Sequence, residues 1–293
     1  MESIYRSTAG QQEIGRWCLE RLDSWAVPHE RTTLAAGGAR THVVTAGPGP
    51  GTGTSASTST STSTSTSTST VVFVPGTNFN AAASLPLATA LVRAGHRVVV
   101  ADVPGQPGLS SGARGLSGGR LAWYGAWLDD VLEATGPAVV MGHSFGAAIT
   151  LSCRSPHAER RLLLSPGGFC ALRLTPGLLA ASAAWYLRPV PARSARLLRS
   201  MTAPGTEPRA ELVQWLTLVA RHSRSSGAPG RAAFDDRVRA VPHRVVSGAH
   251  DVFLPPRRLA PAVRAALGAD LEVVPHAGHL LVDEAPDHVA ALV

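Results

Sequence analysis

The fold of this chain is decided by the stretch Ala138-Val139-Val140-Met141-Gly142-His143-Ser144-Phe145-Gly146-Ala147-Ala148. The stretch begins as an apolar run typical of a buried strand, passes through a Gly-x-Ser-x-Gly motif and continues as a helix-like run. A serine at such a turn has a strained backbone, so the residues two positions away must be small, as Gly142 and Gly146 are. The turn places Ser144 Oγ at the carboxyl end of the sheet and at the positive end of the helix dipole. The stretch therefore predicts that Ser144 is a nucleophile.

Apolar runs and helix-like segments alternate on both sides of this stretch. Strands that are apolar on both faces and alternate with helices are typical of a doubly wound, mostly parallel sheet, so the sequence predicts the α/β class. Strands are predicted at 71–74, 97–101, 138–141, 161–164, 244–246 and 271–274, and helices at 85–94, 123–134, 145–153 and 257–267, with a final helix after the last strand that ends at Val293.

The rest of the chain divides around this core. Apolar spacing predicts a helix at 11–25, followed by two short strands at 32–34 and 41–45. A Gly/Pro-rich segment and a Ser-Thr repeat from Ser57 to Thr70 offer no apolar side chains to bury, which predicts a disordered hairpin tip. The predicted regions are an N-terminal helix and hairpin packed on the core (1–46), a disordered Ser/Thr-rich loop (47–70), core with the nucleophile (71–165), a helical lid inserted over one edge of the sheet (166–234), and core with acid and base (235–293).

A serine nucleophile needs a base, and two polar loops follow the last predicted strands. The chain order Ser144, Asp251, His279 is the order expected for this architecture, with His279 as base and Asp251 orienting its imidazole. Gly278 allows the loop to turn into the site, which favours His279 over His276, the alternative base on the same loop. The structural alternatives are that His279 only caps or packs a loop and that Asp251 is a helix cap or a turn residue.

The oxyanion of acyl transfer requires two N–H donors. One is the backbone N–H of Phe145, which follows the nucleophile. The second is expected from the loop Pro75–Asn80, where Gly76 permits close backbone approach and the Thr77 N–H is the candidate. The Asn78 side chain is an alternative donor or a substrate contact. His143, although inside the motif, is interpreted as structural.

These residues together resemble an α/β-hydrolase-fold serine hydrolase of the lidded bacterial carboxylesterase type. The resemblance runs from about Thr41 to the C-terminus. It implies a structural loop beside the site from Asp102 onward and a last helix that begins at a Glu-x-Pro motif. One departure is Pro75-Gly76, where such enzymes usually have His-Gly before the oxyanion loop. The segments that carry the resemblance are Val71–Thr77, Asp102–Ser110, Gly142–Gly146, Gly248–Asp251, Gly278-His279 and Glu284-Ala285-Pro286.

The charge of the chain is unevenly placed. All 27 basic residues are arginine, because the chain contains no lysine, and this excludes Schiff-base and P-loop lysine chemistry. The segment 166–234 holds nine arginines and only Glu207 and Glu211 as acids, so it carries the whole formal charge of +7. Such a patch fits an anionic substrate, partner or membrane surface, or simply a solvated helix surface. No recognition motif accompanies it, so nucleic-acid binding is not predicted.

The cysteines, the N-terminus and the apolar stretches indicate the cellular compartment. Cys18, Cys153 and Cys170 are scattered and predict free thiols in a reducing compartment. The N-terminus lacks the pattern of a signal peptide, and the longest apolar stretch, 178–187, is too short to span a bilayer. No His/Cys/Asp/Glu cluster has metal-ligand spacing. The sequence therefore predicts a cytoplasmic protein without metal, cofactor or stable membrane insertion, and it leaves the oligomeric state open.

The predicted function is hydrolysis of a carboxylic ester of a small or medium hydrophobic substrate through an acyl-serine intermediate. Two alternatives stay open. The same triad acts on thioesters, on carbon–carbon bonds or in acyl transfer in other proteins, and the fold also serves in non-catalytic ligand binding. Four aromatic residues of 166–234 are interpreted either as substrate pocket or as lid core: Phe169, Trp185, Tyr186 and Trp215.

Overall fold

The computed structural model describes residues 3–49, 68–113, 119–224, 227 and 230–293. Its strands are β1 (His29–Ala36), β2 (Ala39–Ala46), β3 (Thr70–Val74), β4 (Arg97–Ala101), β5 (Ala138–His143), β6 (Ala158–Leu164), β7 (His243–Gly248) and β8 (Leu271–Val274). They form one sheet in the order β1-β2-β4-β3-β5-β6-β7-β8. The β1–β2 and β2–β4 pairs are antiparallel and the others are parallel, so the predicted doubly wound, mostly parallel sheet is confirmed.

Helices cover both faces of this sheet. The alternating side chains of β3 show why: Val71 and Phe73 pack on one face, Val72 and Val74 on the other, and all four are buried. The helices are α1 (Thr8–Asp23), α2 (Leu85–Arg93), α3 (Arg120–Thr135), α4 (Phe145–Ser152), α5 (Pro176–Leu187), α6 (Pro191–Arg199), α7 (Ala210–His222), α8 (Asp236–Ala240), α9 (Pro256–Leu267), α10 (Leu281–Glu284) and α11 (Pro286–Ala290). Helices α1, α2, α10 and α11 join the core of the first face, and α3, α4 and α9 cover the second. Within the described ranges, no helix has both the length and the apolar character needed to span a membrane.

The strand order reverses beside β3, and this reversal positions the site. The chain passes from β3 to β4 on one side and then crosses to β5 on the other side of β3. Parallel strands bring their carboxyl ends to one edge of the sheet, and the crevice at such a reversal is where open α/β sheets bind ligands. Ser144 follows β5 and Thr77 follows β3, so both lie at this crevice.

The hairpin assigned to the N-terminal region is present, but its tip was predicted in the wrong place. Strands β1 and β2 are joined at Gly37-Gly38, both at positive φ, and the segment 47–70 leads instead from β2 to β3. Since β4 lies between β2 and β3, these two strands do not form a hairpin. The predicted disorder falls mainly on residues 50–67, which lie outside the described residues. The five regional boundaries stay predictions.

The final helix predicted to reach Val293 is divided in the structure, and its last part begins at Pro286, as the Glu-x-Pro motif implied. The structure has two short helices there, α10 and α11, separated at Ala285 (φ −138°, ψ 51°). Ala285 precedes Pro286, and the proline ring disfavours the helical conformation for the residue before it. The proline therefore begins a new helix and ends the earlier one.

Candidate active site

Ser144 sits on the sharp turn between β5 and α4. Its backbone has φ 53° and ψ −110°, a positive-φ conformation that residues other than glycine rarely adopt. The turn packs tightly: a Cβ on Gly146 would lie 2.0 Å from the Val74 carbonyl oxygen, and one on Gly142 would lie 2.6 Å from the Gly146 carbonyl oxygen. Only glycine fits at these two positions, as the motif requires. Phe145 is the first residue of α4, so its N–H has no acceptor within the helix.

Three residues from separate strand ends form one hydrogen-bonded chain. His279 Nε2 lies 3.0 Å from Ser144 Oγ, and His279 Nδ1 lies 2.9 Å from Asp251 Oδ2. Both Asp251 and His279 are buried. The structure thus brings together the nucleophile, base and acid candidates in the arrangement that activates a serine. His276, the alternative base, and His250 are exposed.

Asp251 is held as a charged acceptor. Its Oδ1 accepts the backbone N–H groups of Phe253 and Leu254, each at 2.9 Å, while Oδ2 faces His279. Burial acts to raise the pKa of Asp251, but the charge and hydrogen bond of His279 and the Leu254 N–H hold the pKa below its ordinary value. The carboxylate is therefore ionised at neutral pH and fixes the orientation of the imidazole.

The backbone of His279 is fixed on both sides. Its N–H donates to the Met201 carbonyl at 2.7 Å, and its carbonyl accepts from His143 Nε2 at 2.8 Å. Glu284 bridges the same two segments, because its carboxylate accepts the Gly278 N–H at 2.9 Å and the Ala203 N–H at 2.6 Å. The histidine loop is thus joined to the segment between α6 and α7. The sequence interpretation of His143 as structural stays a prediction; in the structure its ring contacts the His279 carbonyl and also lines the cavity at Ser144.

The turn after β3 is fixed in the same manner. Phe79 N–H donates to the Gly76 carbonyl at 3.0 Å, and Asn78 takes a positive φ of 66° that asparagine tolerates. The Asn78 N–H donates to Gln106 Oε1 at 3.0 Å, and its carbonyl accepts Trp215 Nε1–H at 2.7 Å. Both peptide groups of Asn78 are therefore held, and the preceding residue, Thr77, lines the cavity at Ser144.

A cavity of about 380 Å³ opens over Ser144. Its wall is mostly apolar, which suits a hydrophobic substrate. Of the four aromatic residues singled out in 166–234, Trp185 lines this cavity, Tyr186 lines a neighbouring one, and Phe169 and Trp215 are buried. Residues from both the core and 166–234 form the wall, among them Thr77, His143, Leu172, Leu179, Trp185 and Met201.

Gln106, Trp215, Met201 and Glu284 were not assigned to the site from the sequence. Their contacts with the site join distant parts of the chain, and a buried glutamine or tryptophan has no distinguishing local pattern. In the described part of the chain the three cysteines are free, and no cluster of His, Cys, Asp and Glu could hold a metal ion.

His143 makes the stability of the fold depend on pH. Burial and the neighbouring His279 lower the pKa of His143 from 6.5 to about 3, against the opposing effect of its hydrogen bond to the His279 carbonyl. Below pH 6.5 the unfolded chain binds this proton and the folded chain does not, so the contribution of His143 to stability falls as pH falls from 6.5 to about 3.

We therefore expect the stability difference between the wild type and His143→Gln to shrink as the pH falls below 6.5, by up to about 1.4 kcal/mol per pH unit. Urea unfolding across this range measures it, because glutamine keeps a donor and does not titrate. His276→Gln, at an exposed histidine, is the control and should keep the wild-type profile. A pH-independent difference for His143→Gln would contradict the assignment.

Comparison with known proteins agrees with this architecture. The sequence model of the alpha/beta hydrolase family matches residues 71–292. A carboxylesterase from Bacillus subtilis is 18% identical, with a TM-score of 0.73 and 97% of each chain covered. The naproxen esterase (carboxylesterase NP) of Bacillus subtilis is 18% identical, with a TM-score of 0.73 and 98% of each chain covered.

A third similar structure is the 2-hydroxy-6-oxo-6-phenylhexa-2,4-dienoate hydrolase of Rhodococcus sp. strain RHA1. It is 19% identical, with a TM-score of 0.63, and the match covers 91% of this chain and 98% of the other. At these identities the likeness concerns the fold. No curated protein sequence matches the chain.

Proposed function

Because the chain belongs to the alpha/beta hydrolase family, as its motifs predicted, we propose that it is a serine hydrolase that cleaves a carboxylic ester of a small or medium hydrophobic substrate. The observation that carries the proposal is the hydrogen-bonded chain from Ser144 through His279 to Asp251. The apolar cavity of about 380 Å³ at Ser144 supports the substrate class.

In this proposal Ser144 Oγ attacks the ester carbonyl while His279 Nε2 takes its proton. Asp251 stabilises the imidazolium, and the N–H groups of Phe145 and Thr77 donate to the oxyanion. His279 then gives the proton to the leaving alcohol, which leaves an acyl group on Ser144. A water molecule then gives a proton to His279 and attacks the acyl carbonyl. The bond from the acyl carbon to Ser144 Oγ breaks, His279 returns the proton to Ser144, and the acid is released. The segment 166–234 acts as the lid of the cavity.

Turnover of p-nitrophenyl esters tests this function. We expect hydrolysis of the acetate, the butyrate and longer esters, with an optimum chain length set by the cavity, and labelling by a fluorophosphonate probe. Failure of the wild type in both assays would contradict ester hydrolysis and favour a ligand-binding role. The likeness to a carboxylesterase and a naproxen esterase of Bacillus subtilis favours esters over carbon–carbon bonds as the first substrates to test.

Trp215 and Gln106 are positioning residues for Thr77 in this mechanism. We expect Trp215→Phe to lower kcat about tenfold with a smaller change in KM, a loss below the roughly 100-fold of a deleted oxyanion donor. The phenyl ring keeps an aromatic partner for Trp17, which stacks on Trp215 at 4.7 Å, but it cannot donate to the Asn78 carbonyl. Steady-state kinetics and the rate of fluorophosphonate labelling measure the effect.

Trp25→Phe is the matched control for this substitution. It removes a comparable indole donor, Trp25 Nε1 to Thr89 Oγ1 at 2.9 Å, on a residue that does not line the cavity. Its kcat should equal that of the wild type. If both variants lose equal activity, Trp215 contributes to general stability only, and the positioning role is wrong.

A further inference from the structure

Helix α5 exposes an apolar face. Of its twelve residues only Leu178 and Ala181 are buried. The side chains of Leu179, Ala180, Ala183 and Leu187 share one side of the helix and are exposed, with Leu179 50% and Leu187 81% accessible. Leu174, just before the helix, is 55% accessible. Large apolar side chains grouped on a surface mark an interaction site more often than isolated ones do.

This apolar face adjoins the candidate active site. Leu174 and Leu179 both line the cavity that contains Ser144 and are also exposed, so they form part of its rim. Whatever covers the exposed face of α5 therefore lies next to the route into the cavity.

Arginines surround the C-terminal end of the same helix. Arg193 Nη1 donates to the Ala184 carbonyl at 3.3 Å, Arg221 Nε donates to the Pro189 carbonyl at 3.1 Å, and Arg188 caps the helix. The Arg6 guanidinium lies 4.6 Å from the centre of the Tyr186 ring. These contacts place four positive charges at the C-terminal end of α5, the end at which Leu187 is exposed.

The acids of this part of the chain do not neutralise that charge. Glu207 pairs with Arg199 at 2.9 Å, and Glu211 lies 3.8 Å from Arg21. Segment 166–234 contains no other acid. The surplus of arginine that the sequence places in this segment is thus concentrated, in part, beside the apolar face of α5.

We propose that the α5 surface, defined by Leu174, Leu179, Leu187, Arg188, Arg193 and Arg221, docks onto an anionic lipid bilayer. Exposed leucines flanked by arginines match the boundary between acyl chains and negatively charged headgroups. The charge of the surface selects an anionic bilayer over a neutral one. Docking is peripheral, because twelve helical residues are too few to cross the hydrocarbon core. The role of docking, delivery of membrane-dissolved esters to Ser144, rests on the proposed function; docking itself does not.

Vesicle sedimentation of the Ser144→Ala protein tests docking without turnover. We expect binding to phosphatidylcholine vesicles that contain phosphatidylglycerol, weakened by added salt, and much weaker binding to pure phosphatidylcholine. Arg188→Gln combined with Arg221→Gln should weaken binding about 10- to 30-fold, from the typical contribution of an arginine near an anionic membrane. Leu187→Ser should weaken it about tenfold through lost apolar burial.

Matched controls separate the surface from general charge and hydrophobicity. Arg237→Gln combined with Arg264→Gln removes two arginines of α8 and α9, and Leu19→Ser changes an exposed leucine of α1; both proteins should bind like the parent. Equal binding to both vesicle types, or equal loss in surface and control variants, would overturn the proposal. The proposal would also be overturned if the protein did not bind vesicles and light scattering showed a dimer that buries the leucines of the α5 surface.

The two proposals fail in different ways. If the protein hydrolyses esters but does not bind anionic vesicles, only the docking proposal is overturned. A protein that binds these vesicles but neither hydrolyses esters nor reacts with fluorophosphonate would overturn the esterase proposal alone.

Discussion

Replacing Ser144 with alanine is expected to lower kcat/KM for p-nitrophenyl butyrate by about 10⁵- to 10⁶-fold, the size of effect found when a triad serine is removed. The substitution deletes the one oxygen that His279 Nε2 contacts at 3.0 Å and leaves the cavity intact. Fluorophosphonate labelling should disappear with it. Substrate binding should persist, because the apolar wall of the cavity is unchanged. Comparing the inhibition constant of the reaction product for the wild type with the dissociation constant of the same product for the variant would measure this.

Ser152→Ala is the control for the same element. Ser152 ends α4, the helix that begins beside Ser144, and its Oγ donates to the Ala148 carbonyl at 2.9 Å within that helix. Its loss should leave kcat unchanged. A Ser144→Ala protein with more than a few per cent of wild-type activity would contradict the nucleophile assignment.

The backbone at Ser144 supplies a second readout of the same residue. At φ 53° an alanine carries the same steric strain as serine, whereas glycine relieves it. We therefore expect Ser144→Gly to be more stable to urea than Ser144→Ala by about 1 kcal/mol, although both are inactive. Together the two variants separate the chemical role of the side chain from the strain of the turn.

The nucleophile region could be predicted from sequence because its signals are local. The apolar strand, the two glycines and the following helix lie within eleven residues, and each acts on its immediate neighbours. The candidates Asp251 and His279 could be predicted because the carboxyl ends of parallel strands converge on one edge, so a loop position along the chain translates into a position in space.

The residues that hold these loops could not be predicted, because their partners are distant in sequence. Trp215 reaches Asn78 across 137 positions, and His143 reaches the His279 carbonyl across 136. The first contact depends on how the segment 166–234 packs on the core, and the second on how two core loops meet; periodicity encodes neither. The exposure of one face of α5 could not be predicted either, because a helix that is apolar on all sides is typically buried.

Gly146→Ala is expected to have the largest effect on stability, a loss of at least about 3 kcal/mol or failure to fold. The new Cβ would lie 2.0 Å from the Val74 carbonyl oxygen and 2.7 Å from that of Pro75. All of these atoms belong to backbone, so no side-chain rotation relieves the overlap, and either α4 or the end of β3 must move. Ser144 immediately precedes α4, and Thr77 lies three residues after the end of β3.

Gly177→Ala isolates this clash from the ordinary effect of alanine. Gly177 is the second residue of α5, as Gly146 is of α4, but a Cβ there would meet nothing within 4 Å. Alanine should therefore stabilise that helix by about 0.5–1 kcal/mol through reduced backbone entropy of the unfolded chain. Urea unfolding of both variants measures the difference. Opposite signs at two equivalent helix positions would mean that the second glycine of the motif is required by the approach of β3 to the turn, because helix propensity favours alanine at both. Equal changes in the free energy of unfolding would mean that the cause lies in the helices themselves and would contradict the steric explanation of the motif.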